Sequence, residues 1–191
     1  MGFAMYTGEN KGRFPLRVAQ KVSTGMLPVK GGEFFDFRFF DEAIGGADPA
    51  AELPTYPRAN ERPLFPYLKQ FETFHCPSDS GFTLDRLGKI RPSLWKHAGC
   101  SYWYNARPDG PGERLGFEGL AGKDVSYVKY PDRFILMYEP PSRLTESGLL
   151  SLHQRSKAIS PLLFVDLHVS AYDLMSPNQT QPGKILWHNS D

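Results

Sequence analysis

Leu162-Leu-Phe-Val-Asp-Leu-His-Val-Ser-Ala-Tyr-Asp-Leu174, read together with Phe134-Ile-Leu-Met-Tyr138 upstream of it, decides the fold of this chain. Both runs are nearly continuously apolar, which is the pattern of strands buried on both faces, so they are expected at the centre of a sheet. Further strands fall around them. Cys100-Ser-Tyr-Trp-Tyr-Asn105 is rich in strand formers and runs into the turn cluster Arg107-Pro-Asp-Gly-Pro-Gly112. Val125 to Val128 and Lys184 to His188 are two more candidates, and Phe35, Phe37 and Phe39 alternate with Asp36 and Arg38 at the period of a strand.

The rest of the chain fits a sheet better than a helix bundle. Glycine (18) and proline (17) are abundant among the 191 residues, which shortens regular elements and puts shaped loops between them. From Ile44 to Pro66 the composition turns to Gly, Ala, Pro and polar residues, and five prolines there (49, 54, 57, 63 and 66) predict a long surface loop, with residues 41–61 as its variable part. Within Leu64 to Phe74 a short helix is expected around Tyr67 to Gln70, followed by a turn shaped by Pro77. No second composition regime or repeat divides the chain, so residues 1–191 read as one domain.

Charge excludes one class of partner. A formal net charge of +1 without a dense Lys/Arg cluster supplies no field for nucleic acid or an anionic membrane. The sequence shown has no apolar run of about 20 residues and no signal-peptide pattern. Phe3, Met5 and Tyr6 share one side of a helical turn before Gly8 and Asn10, so residues 2–10 read as the last turns of a helix whose upstream part is missing.

The sharpest chemical constellation gathers His153, Asp166 and His168. If Asp166 and His168 lie on one strand, their i, i+2 spacing puts both on one face, where a second His could complete a metal or hydrolytic site. The competing reading is structural, since Asp and His next to a turn commonly satisfy backbone groups and each other. His75, His97 and His188 have no partner at ligand spacing. No Gly-x-Ser-x-Gly elbow, dinucleotide fingerprint or phosphate loop occurs, and Asp36, Asp41 and Glu42 read as solvated acids without a role. Tyr102, Trp103, Tyr104 and Trp187 could form a sugar-stacking platform or fill the core. The two cysteines, Cys76 and Cys100, are too few for a thiolate zinc site. They form either one disulfide, worth about 3 kcal/mol by loop closure, or two core thiols.

Five segments follow one another in a familiar order. They are Gly2-Phe-Ala-Met-Tyr-Thr-Gly-Glu-Asn-Lys-Gly-Arg-Phe-Pro15; Arg62-Pro-Leu-Phe-Pro-Tyr-Leu68 with Phe74-His-Cys-Pro-Ser-Asp79; Ser101-Tyr-Trp-Tyr-Asn105; Tyr130-Pro-Asp-Arg-Phe-Ile-Leu-Met-Tyr-Glu139; and His153 with Leu163-Phe-Val-Asp-Leu-His-Val169. In these the chain resembles prepilin-like proteins of the type II secretion pseudopilin kind, whose C-terminal domain is named for a His that precedes an Asp-Gly. Two departures stand out. His153 and Asp166 are separated by more residues than that pattern has, and Leu167 occupies the place of the Gly, which disfavours a left-handed turn there.

The resemblance implies an α+β, pilin-like fold, in which the truncated N-terminal helix packs on an antiparallel sheet with long loops. It implies a non-catalytic structural or assembly subunit of a secretion or type IV pilus-like filament, extracytoplasmic and membrane-anchored only through the missing helix. Its partners would be other pilin or pseudopilin subunits and the secretion machinery. In such a compartment a Cys76–Cys100 disulfide is chemically permissible. Some pseudopilins hold calcium in a loop of the head, for which Asp109 and Glu113 are the candidate ligands here. Otherwise no cofactor is expected. The rival readings are a carbohydrate-binding or surface-adhesion module and, behind it, a metal-dependent hydrolase.

Overall fold

Ile135–Tyr138 (β4) is buried at every position, as its unbroken apolar composition requires. The computed structural model describes residues 1–16, 27–29, 33–35, 43–49, 57–81, 93–106, 119–139, 143–145, 148–150, 159–173 and 185–186. Within them β4 pairs antiparallel with Trp103–Tyr104 (β3) on one side and with Ile159–Phe164 (β7) on the other. Val169–Asp173 (β8) pairs antiparallel with β7, giving the order β3-β4-β7-β8. Two further antiparallel pairs stand outside this sheet: Leu27–Val29 (β1) with Glu33–Phe35 (β2), and Arg143–Thr145 (β5) with Gly148–Leu150 (β6).

The described residues thus form an α+β structure around a four-stranded antiparallel sheet. Successive side chains of a strand point to opposite faces, and the core is divided accordingly. Tyr104 and Leu136 belong to one buried cluster with Phe3, Phe14 and Leu64. Trp103 and Ile135 belong to a second with Leu94, Leu162 and Phe164.

The N-terminal helix expected from the sequence is present as Gly2–Glu9 (α1). Its Phe3 is buried and meets the ring of Tyr104 on β3 at 5.8 Å, while Tyr6 meets Tyr67 edge-on at 5.9 Å. A Cβ on Gly2 would come within 2.4 Å of Leu68, so the small residue lets the helix sit close to the segment after Arg62. The helix stops at Asn10, whose side chain donates to the Tyr6 carbonyl at 2.8 Å, and the chain then turns through Lys11 and Gly12, both at positive φ. Among the described residues no helix is long and apolar enough to cross a membrane.

Four local expectations need correction. Leu162 to Leu174 is not one strand. It folds back at residues 165–168 into the β7–β8 hairpin, and Leu167 takes the left-handed conformation (φ 73°) despite its side chain. Hydrophobicity hides this turn, because Val165 and Leu167 continue the apolar pattern of the strands. Val125–Tyr127 is a 3-10 turn and not a strand, since the Asp124 side chain accepts the Ser126 N–H at 2.9 Å and closes the backbone locally.

The short helix expected within Leu64 to Phe74 forms at the end of that stretch, as the 3-10 turn Phe71–Phe74, and not at Tyr67 to Gln70. The described parts of the expected surface loop are only partly at the surface: Asp48, Arg58, Asn60, Glu61 and Pro66 are exposed, but Ile44 is fully buried and Arg62 and Leu64 are 1% exposed. Prolines deny that segment a regular ladder without forcing it to the surface. Of the Lys184 to His188 candidate, Leu186 makes an isolated parallel bridge to Phe134, and residues 184, 187 and 188 lie outside the described residues. Phe37 and Phe39 lie outside them too.

Candidate functional site

Among the described residues, the most organised chemistry lies in the interior. Arg62 is buried, and its guanidinium is shared among backbone carbonyls from three separate segments. Nε and Nη2 donate to Pro57 O (3.2 and 3.0 Å), Nη1 to Gly45 O (2.6 Å) and Gly99 O (3.4 Å), and Nη2 to Ala98 O (2.7 Å). A planar fork of five donors suits such a cage, where an ammonium would reach fewer oxygens. Burial lowers the pKa of Arg62, and the nearby Cys100 and Asp48 work against that shift.

The same cage requires glycine. Gly46 (φ 103°) and Gly99 (φ 72°) both take positive φ, and a Cβ on either would lie 2.0 Å from a backbone oxygen of the opposite segment. The two segments are joined there by the Ala47 N–H on Gly99 O at 2.9 Å.

Asp79 makes the second anchor. The Ser93 hydroxyl caps helix Leu94–Ala98 (α2) locally through Lys96 N at 3.2 Å. Asp79, distant in sequence, accepts from Leu94 N (3.0 Å) and Trp95 N (2.8 Å) and also from Ser101 Oγ (2.7 Å). One buried carboxylate therefore fixes the start of α2 and the approach to β3. Phe74 O, accepting from Ser101 N at 2.9 Å, holds the same two segments together. Asn105, just past β3, donates from Nδ2 to Ile135 O at 2.9 Å, tying β3 to β4.

The cysteines occupy this interior as two fully buried thiols and are not bridged. Their surroundings differ. Cys100 Sγ donates to the Tyr102 carbonyl at 2.8 Å and lies near Arg62, whereas Cys76 lies beside the Glu139 carboxyl and the Tyr102 side chain. Desolvation is the main cause that pushes both thiols up to about 11, with Glu139 adding to the effect at Cys76 and Arg62 opposing it at Cys100. Thiols held neutral in this way are poor nucleophiles and poor metal ligands.

Of the expected metal or hydrolytic group, Asp166 and His168 do meet, but in the hairpin turn and not along a strand. His168 Nδ1 is 2.6 Å from Asp166 Oδ1, the His168 N–H donates to the same oxygen at 3.1 Å, and the imidazole stacks on Phe164 at 4.3 Å. Burial is the largest single influence on Asp166 and opposes its ionisation, yet the several contacts with His168 together outweigh it and hold the carboxyl below its usual range. These contacts close the turn around Leu167, which is the structural role weighed against a metal site. His153 lies outside the described residues, and among those described no three His, Cys, Asp or Glu side chains are grouped to hold a metal ion.

Of the candidate sugar-stacking residues, Tyr102 is partly buried, while Trp103 and Tyr104 lie in the core. Trp103 (9% exposed) packs edge-on against Tyr138 at 6.0 Å, and Tyr104 is fully buried. These rings fill the core on the two faces of the sheet. Trp187, His188, the calcium candidates Asp109 and Glu113, and the acids Asp36, Asp41 and Glu42 lie outside the described residues. His75 is half-buried and stacks on Trp95 at 4.9 Å; His97 lies in α2.

Arg62, Asp79, Ser101 and Glu139 all lie within the segments that carry the resemblance, but their spacing in the sequence assigns them no role. The available signal was a charged residue set among prolines and aromatics in a segment too apolar to be wholly exposed. Comparisons of the chain with protein-family models, with curated proteins and with solved structures found no match.

Proposed function

We propose that this chain is the head of a pseudopilin-like subunit, a structural or assembly component of an extracytoplasmic secretion or type IV pilus-like filament, with no catalysis of its own. The observation that carries the reading is the seat of α1: Phe3 packs on Tyr104 of β3, at one edge of a four-stranded antiparallel sheet. This is the arrangement expected of the end of a pilin helix lying against its sheet.

The charged and polar residues of the quoted segments give independent support. Arg62, Asp79, Ser101 and Asn105 all turn inward to bind backbone or one another, so the motifs act as internal braces. The exposed His168–Asp166 pair closes a hairpin. A scaffold whose distinctive polar residues are spent on its own loops suits a role in assembly, where partners read shape and surface. Its partners on this reading are other pilin-like subunits and the secretion machinery.

Deletion of the gene in its host tests the proposal, read by electron microscopy of surface filaments and by quantitative comparison of secreted proteins. Loss of filaments or of a defined secreted set, restored by complementation, is the expected result. Unchanged filaments together with an unchanged secreted set would overturn it.

A further inference from the structure

We draw no further inference here: the strongest candidate, the exposed tip of the β7–β8 hairpin where the His168–Asp166 pair flanks Leu167 and Val169, has no third ligand or nucleophile grouped with it among the described residues, and nothing in the structure shows what covers it.

Discussion

Asp79 Oδ2 accepts the hydroxyl of Ser101 at 2.7 Å while the same carboxylate caps the backbone of Leu94 and Trp95. A turn, a helix start and the entry to an edge strand of the sheet thus share one buried charge. A buried carboxylate is tolerated where its oxygens are hydrogen-bonded, and here three donors meet it. Arg62 does the complementary work with carbonyls a short way off, so among the described residues Asp79 and Arg62 brace the loops from within, each binding mainly backbone.

Asp79→Ala is therefore expected to destabilise the fold by about 3 kcal/mol, because it removes charge-assisted bonds and strands two helix N–H groups and a hydroxyl. Asp79→Asn keeps one acceptor oxygen and should lose less. Equilibrium urea denaturation of the two variants checks both the size and the order; equal, negligible losses would contradict the bracing role.

Arg62→Lys should behave as a damaging change despite its conserved charge. The ammonium cannot reproduce a fork shared among Pro57, Gly45, Gly99 and Ala98 carbonyls, and a loss of about 2 kcal/mol or more is expected. Thermal denaturation against the parent protein measures it, and an unchanged midpoint would refute the cage.

Gly99→Ala tests the close approach next to that cage. The added Cβ would press on the Ala47 carbonyl at 2.0 Å in a left-handed backbone, and the Gly99 carbonyl is itself held by Arg62. A loss of about 3 kcal/mol or more is expected, or failure to fold. Gly8→Ala, where nothing lies within 4 Å of the new carbon, is the control and should be neutral or slightly stabilising.

Leu167→Gly should make the protein more stable. Leu167 is 42% exposed at φ 73°, so the substitution removes left-handed strain of about 1 kcal/mol and little packing. A higher denaturation midpoint for the glycine variant is the expected result. A lower one would mean that the leucine side chain contributes more than its conformation costs.

Cys76 and Cys100, with thiols pushed up to about 11, should resist alkylation in the folded protein at pH 8, since few molecules carry a thiolate and none presents it to solvent. After denaturation without reductant both should react. Mass spectrometry of iodoacetamide-treated samples reads the number of labels. Rapid labelling of the native chain would contradict the burial, and an absence of labelling after denaturation would reveal a bridge.

Composition and periodicity were enough to determine that the chain builds a sheet with short elements, that Phe134 to Tyr138 lies at its centre, and that a helical turn opens it. These depend on local pattern: an unbroken apolar run can only be satisfied by burial on both faces, and the spacing of Phe3 and Tyr6 suits one helical side. Tertiary structure alone decided the hairpin at Leu167, the burial of Ile44, Arg62 and Leu64 within the proline-rich segment, and the pairing of Asp79 with Ser101. Each of these depends on a partner distant in sequence or on a backbone conformation that the residue itself disfavours, so no local reading of side chains could have assigned them.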